Sequence, residues 1–165
     1  FAPHVAGGRC FVASDDGFCT IYVDKYLMNR EVGFGRRLME ILEKEGLSFE
    51  HIPSGIDNIS IILREKTFGP DVEKRVISDI RRVLGADDVE VERGLALVMV
   101  VGEGMRFTVG LAARATRAFA EAGINIEMIN QGSSEISIMF GVKAQDRKKA
   151  VAALYSEFFG EGAGR

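Results

Sequence analysis

The sequence of 165 residues lacks tryptophan and contains only two cysteines and two histidines. Cys10 and Cys19 are nine residues apart, a spacing that fits neither a C-x-x-C redox pair nor a zinc knuckle. Two cysteines also do not make a disulfide framework. We therefore expect two buried free thiols that behave as small hydrophobic side chains, and no metal site.

The sequence also lacks a large excess of positive or negative charge, and it lacks long apolar runs. The 21 Lys and Arg against 24 Asp and Glu leave a net charge of -3, which provides no broad positive field for nucleic acid or anionic lipid. The longest apolar run, residues 95–101, is far shorter than the roughly 18 to 20 residues that cross a bilayer. We expect a cytoplasmic protein with no nucleic-acid or membrane partner.

Motifs for catalysis are absent as well. The Gly102-x-Gly104 pair lacks the third glycine of a dinucleotide fingerprint, and neither a P-loop nor a nucleophile motif occurs. His51 alternates with Phe49 in strand phase, which favours packing over acid-base work. No catalytic residue is predicted. The chain begins at Phe1 rather than Met, which suggests a fragment.

An internal repeat is the strongest feature that the sequence does contain. A shift of 77 residues aligns 21–63 with 98–140 without a gap, and 12 of the 43 pairs are identical, where unrelated sequences would match at roughly two or three. The period is too long for a solenoid unit, so it predicts a duplicated small domain. Identical pairs include Met28/Met105, Val32/Val109, Gly33/Gly110, Arg37/Arg114 and Glu50/Glu127.

Each copy has the same order of predicted elements. In the first copy, an apolar stripe predicts a helix that begins near Phe34 and ends at Gly46, and a second helix runs from Pro70 to Gly85. Alternating apolar residues predict strands at 19–23, 48–52, 58–63 and 88–92. The order β-α-β-β-α-β indicates an α+β fold of the ferredoxin-like type, with helices on one face of a four-stranded antiparallel sheet.

The second copy is one strand short. Strands are predicted at 95–101, 125–129 and 135–142 and helices at 110–122 and 146–159, whereas 9–14 forms a strand that the first copy does not need. We predict that the N-terminal strand completes the second domain. The first domain, 15–93, is then inserted in the second, 1–14 plus 94–165; the alternative is a second domain with one strand fewer.

One loop in each copy could bind a small zwitterion. The loop containing Met28 and Gly33, like its equivalent in the second copy, leads into a helix N-terminus, where free amides and the helix dipole suit a carboxylate. Glu50 and Glu127 on the next strand could accept an ammonium group. The alternative is that the glycines only permit a tight turn and the glutamates are solvated.

Two long segments carry a family resemblance. Residues 101–115, VGEGMRFTVGLAARA, and 123–137, GINIEMINQGSSEIS, closely resemble the second ACT domain of aspartate kinases. Residues 28–35, MNREVGFG, and 49–57, FEHIPSGID, are similar to the first ACT domain of the monofunctional, lysine-sensitive subgroup. The resemblance covers residues 9–159.

This resemblance implies a non-catalytic, allosteric fragment that dimerises through its ACT domains. Its effector would be an end-product amino acid, lysine or threonine, that inhibits ATP-dependent phosphorylation of aspartate. ATP and magnesium would bind the N-terminal kinase domain, so no cofactor is expected in this segment. The alternative is a structural assembly module of the kinase that binds no small molecule.

The family's effector motif transfers to specific positions. In the first copy these are Met28, Asn29, Gly33, Phe34, Gly35, Ser48, Phe49, Glu50, Ser54 and Asp57. In the second copy they are Met105, Gly110, Asn125, Ile126, Glu127 and Gln131. Glu31, Phe107 and Val109 depart from the family pattern, which leaves open whether lysine or threonine binds and whether the second copy is only a dimer contact.

Overall fold

The computed structural model describes residues 4–5 and 8–160. These residues divide into two compact units. The first unit is Gly17–Gly94, and the second unit comprises the described parts of 1–16 and 95–165.

The elements alternate as the repeat predicts. The strands are β1 (His4–Val5), β2 (Gly8–Asp24), β3 (Phe49–His51), β4 (Asn58–Arg64), β5 (Asp88–Gly102), β6 (Met128–Gln131) and β7 (Ser137–Lys143). The helices are α1 (Phe34–Lys44), α2 (Pro70–Asp79), α3 (Leu111–Glu121) and α4 (Arg147–Phe159). A π-helical turn, Ile80–Leu84, extends α2 to Gly85.

In the first unit the strand order is β3-β4-β2-β5. Strands β2 and β4 pair antiparallel in a continuous register from Phe18↔Arg64 to Asp24↔Asn58. The predicted stripe of α1 is buried in one core with the inward residues of β2 and β4. Burial of this stripe is the main force that holds α1 against the sheet.

In the second unit β6, β7 and β5 are adjacent in that order, followed by β2, whose N-terminal end also pairs with β1. Strands β5 and β7 pair antiparallel from Leu95↔Lys143 to Val101↔Ser137. The core contains an edge-to-face pair, Phe119 and Phe140, with ring centroids 4.9 Å apart. The antiparallel sheets and their helices confirm the predicted ferredoxin-like α+β fold.

Several predicted boundaries are wrong. The strands predicted separately at 9–14 and 19–23 are parts of β2, and those at 88–92 and 95–101 are parts of β5. Strand β6 begins only at Met128, so Asn125 and Ile126 precede it. Glu135 lies in the turn before β7 with a positive φ of 58°, which is uncommon for a residue with a Cβ, and β7 begins at Ser137.

Candidate functional site

The loop between β2 and α1, residues 25–33, is the centre of the candidate site in the first unit. It contains a short 3-10 turn, Met28–Arg30, whose Met28 side chain is buried in the core. Gly33 adopts a φ of 81° immediately before α1, a backbone conformation that a residue with a Cβ rarely takes. The predicted loop residues Met28 and Gly33 therefore have structural roles as well.

Backbone hydrogen bonds attach this loop to the turn between β3 and β4. The amide of Lys25 donates to the Asp57 carbonyl at 2.7 Å, and the amide of Asn29 donates to the Ile56 carbonyl at 3.1 Å. The Asp57 carboxylate accepts a further hydrogen bond from the Leu27 amide at 2.8 Å. Ser54 lies in the same turn, in an isolated bridge with Ile59. The structure thus brings Met28, Asn29, Gly33, Ser54 and Asp57 into one region.

The first turn of α1 offers amides to a ligand. The amide of Arg37 donates to the Gly33 carbonyl at 3.1 Å, so the amides of Gly35 and Arg36 lie ahead of the first intrahelical bond. Both residues are exposed, whereas the Phe34 side chain is buried and its amide donates to the Glu31 carbonyl at 3.2 Å. Gly35 can therefore donate to a carboxylate, and Phe34 contributes by packing.

Ser48, Phe49 and Glu50 lie at the other end of the first unit's sheet. Phe49 is opposite Leu63 in β4, whereas the loop at 25–33 follows the Asp24↔Asn58 pair. Leu63 and Asn58 are five residues apart along β4, which corresponds to about 17 Å of strand. Glu50 pairs with Arg64, with Nε and Oε1 2.9 Å apart. Within one unit, the structure does not bring Glu50 to the helix N-terminus.

The second unit repeats the loop geometry. Gly110 has a φ of 84° before α3, and Met105 is buried in the core. Thr108 closes the loop, since its amide donates to the Met105 carbonyl at 3.0 Å and its hydroxyl donates to the Gly104 carbonyl at 2.7 Å. Asn125, Ile126 and Glu127 precede β6, and Gln131 is its last residue. The backbone of Glu127 is fixed by donation of its amide to the Gly141 carbonyl at 2.8 Å.

Sequence reasoning missed a charged cluster at the first loop. Arg37 forms a salt bridge with Glu31, whose second carboxylate oxygen is 3.6 Å from Lys25 Nζ. The available signal was the identical pair Arg37/Arg114 in the repeat. The repeat does not indicate which carboxylate each arginine binds, because the partner of an arginine is a tertiary contact.

Two titratable groups are perturbed by burial. Burial raises the pKa of the Cys19 thiol to about 11, which confirms the predicted buried free thiol at this position; the side chain of Cys10 is outside the described part of the chain. Burial also lowers the pKa of His51, whose Nε2 is buried and has no hydrogen-bond partner among the described residues. Neither side chain takes part in the hydrogen bonds and salt bridges of the loop at 25–33.

Neither a metal cluster nor a membrane-spanning helix is found among the described residues. Within positions 4–5 and 8–160, no three His, Cys, Asp or Glu side chains converge as a metal site. Among the helices of that same part, none is both long and apolar enough to span a bilayer.

The ACT domain family model matches residues 98–158. Aspartokinase 3 of Bacillus subtilis is 61% identical over 148 residues, which cover 90% of this chain and 33% of the relative. The chain therefore spans about a third of the length of that protein.

Three solved structures are similar in fold. Clostridium acetobutylicum aspartate kinase matches with a TM-score of 0.84 at 39% identity, over 89% of this chain and 34% of that chain. The regulatory subunit of Thermus flavus aspartate kinase matches with a TM-score of 0.73 at 22% identity, over 89% and 96%. E. coli aspartokinase III in complex with lysine and aspartate matches with a TM-score of 0.70 at 24% identity, over 90% and 32%.

Proposed function

From the premise that the chain belongs to the ACT-domain proteins related to aspartokinases, we propose that it is the amino-acid-sensing regulatory region of an aspartate kinase. The effector is lysine or threonine, and its binding lowers the rate at which a kinase domain phosphorylates aspartate with ATP and magnesium. The fragment itself is non-catalytic. Such feedback requires the effector to bind the inhibited arrangement of the enzyme more tightly than the active one.

The observation that carries this proposal is the exposed first turn of α1, behind a loop fixed by the Asp57 and Ile56 contacts. Preorganised amides at a helix N-terminus bind a carboxylate without further ordering of the loop. The likeness to an aspartokinase solved with lysine supports an amino acid as the ligand. The two units are, in this proposal, two ACT domains, the first inserted in the second.

The distance between Glu50 and the α1 N-terminus adds a dimer to the proposal. A zwitterionic amino acid is far shorter than the about 17 Å of strand that separates the two groups within one unit. If Glu50 receives the ammonium group, the α1 amides that bind the carboxylate come from another copy of the chain. The effector site then lies between subunits of a homodimer.

A second candidate function is an assembly module that binds no small molecule. Exposed apolar side chains around the loop favour it, because Val32 is 94%, Tyr26 72% and Ile56 68% exposed. Such side chains suit a protein contact. This function predicts a dimer whose stability ignores amino acids.

Calorimetry and thermal unfolding of the 165-residue chain with lysine, threonine and methionine, singly and combined, separate the two functions. A ligand that binds only the folded state raises the unfolding temperature with its concentration. We expect lysine or threonine to do so and methionine to serve as the negative control. Absence of heat and of thermal shift with all three would contradict effector binding and support the assembly module.

A further inference from the structure

Arg37 and Arg114 occupy equivalent positions in the repeat but bind different partners. Arg37 pairs with Glu31 in the loop that precedes its own helix. Arg114 instead pairs with Glu157 of α4, with Nε and Oε1 2.7 Å apart, and donates to the Glu157 carbonyl at 2.8 Å. The arginine therefore stabilises a loop in the first unit and a helix pair in the second.

The position equivalent to Glu31 in the second unit agrees with this exchange of partners. Thr108 stands in the second unit where the first has Glu31, so the second loop offers its arginine no carboxylate at that position. The carboxylate that neutralises the arginine lies on α4 in one unit and on the loop in the other.

Glu31 connects three parts of the first unit. Its carboxylate lies between Arg37 on α1 and Lys25 Nζ, 3.6 Å away. Lys25 Nζ also donates to the Gly85 carbonyl, at 3.2 Å, beyond the π-helical turn. The three charged side chains are between 20% and 34% exposed, so solvent screens them less than a fully exposed pair.

The segment around Gly85 is attached to the loop by a second route. The Asp87 carboxylate accepts a hydrogen bond from the Tyr26 amide at 2.7 Å, and the Asp87 amide donates to the Asp24 carbonyl at 2.9 Å. The start of the loop is thus held against residues 85–87, and the Glu31 salt bridges hold its end against α1. A change at Glu31 releases only the end.

We propose that Lys25, Glu31 and Arg37 form a charge clamp that holds residues 25–33 in the conformation presenting the first-turn amides of α1, and that this clamp sets the effector affinity of the first unit. The affinity part rests on the proposed function; the clamp itself does not. A loop that spends only part of its time in the competent conformation binds more weakly by that fraction. Glu31 acts as a positioning residue that need not touch the ligand.

The test is hydrogen exchange and lysine calorimetry on the 165-residue chain with Glu31→Gln, which removes the charge, and Glu31→Thr, which copies the second unit. We expect both variants to raise exchange at the end of the loop, residues 30–33, by about three- to tenfold and to weaken lysine binding by a similar factor. High salt should reproduce part of the effect in the unsubstituted chain. The thermal unfolding temperature should change little, because the cluster is partly exposed.

Arg114→Gln is the matched control. It removes the equivalent arginine of the second unit and should raise exchange in Arg147–Phe159 while leaving residues 25–33 and lysine binding unchanged. This variant separates a local clamp from a general loss of stability.

Each result decides the proposal. Unchanged exchange at 30–33 in both Glu31 variants overturns the clamp, and a loosened loop with unchanged lysine affinity overturns its role in binding. If the unsubstituted chain binds none of the three amino acids, the proposed function fails. The exchange result then still supports or overturns the clamp.

Discussion

Glu50 forms a salt bridge with Arg64, and this contact determines how Glu50 can serve an effector. The Arg64 guanidinium also lies over the Phe18 ring, 4.2 Å from its centroid. An ammonium group that binds Glu50 must therefore share or replace a cation that is already held in place. The replaced pair is partly exposed and costs little to rearrange.

Glu50→Ala should weaken lysine binding by roughly 1.5 to 3 kcal/mol, the contribution of a hydrogen bond to a charged group. Arg64→Ala should leave binding unchanged or strengthen it, because it removes the competing cation and keeps the carboxylate. Calorimetry on both variants measures the difference. Equal affinities for Glu50→Ala and the unsubstituted chain would show that backbone carbonyls hold the ammonium group instead.

His51, the next residue, predicts a pH dependence. Because burial lowers its pKa in the folded state below the ordinary 6.5, the unfolded chain takes up the proton first as the pH falls through 6.5. The stability contributed by neutral His51 is therefore fully present above pH 6.5. It decreases as the pH falls from 6.5 to the lower folded-state pKa, and does not decrease further below that. His51→Met, which copies Met128 of the second copy, should lose less stability between pH 7.5 and 5.

Urea unfolding at several pH values in this window measures the effect. The window lies above the ordinary glutamate pKa of 4.5, so carboxylates contribute little to the slope. The same slope in His51→Met and in the unsubstituted chain would show that His51 does not control it.

At the scale of the element, α1 and α3 place side chains of different size at equivalent buried positions. Leu38 of α1 is fully buried, and the equivalent residue in α3 is Ala115, also fully buried. One turn further along, Leu42 of α1 is matched by the larger Phe119. The first unit therefore fills this part of its core with Leu38, whereas the second unit has the smaller Ala115 there and the larger Phe119 one turn along.

Leu38→Ala should destabilise the first unit by about 2 to 5 kcal/mol, the range for a buried leucine that leaves a cavity. Glu40→Ala, on the exposed face of the same helix, should change stability by no more than about 0.5 kcal/mol. Native-state hydrogen exchange is the measurement, because two compact units need not unfold in one step. A loss below about 1 kcal/mol in Gly17–Gly94 would contradict this packing argument.

The elements that sequence predicted best are those with a strong period and clear ends. Helix α1 begins at Phe34 and α2 at Pro70, as expected from the apolar stripe and from proline at a first helical position. The ends of β6 and β7 were predicted less well. A residue such as Glu135 enters the left-handed region because of its turn, and nothing in its own side chain signals that conformation.

For the molecule as a whole, the sequence predicts only those parts of the site that local sequence patterns determine. The glycine and methionine of each loop stand out in the repeat, and the structure places them alike in both units. The position of Glu50 depends on the register between β3 and β4, and the partner of Arg37 depends on which element carries a carboxylate nearby. Both are tertiary facts that spacing along the chain does not contain.

Strands β2 and β5 each run through both units, and both pass the boundary at a glycine with positive φ. Gly17 has a φ of 79° and Gly94 a φ of 75°, and an added Cβ at either position meets nothing within 4 Å. Gly17→Ala or Gly94→Ala should therefore cost about 1 to 2 kcal/mol from backbone strain alone. Gly35→Ala, in α1 and equally free of contacts, should be neutral or stabilising by up to about 1 kcal/mol.

Opening of either unit relieves strain at a boundary residue, because the strand belongs to both. Hydrogen exchange should therefore show lower protection in both units for Gly17→Ala and Gly94→Ala, whereas Leu38→Ala lowers it in the first unit. A loss confined to one unit in the glycine variants would show that the strain is absorbed on one side of the boundary. The two glycines would then be turn residues of that unit alone, and the continuous strands would not couple the stabilities of the two units.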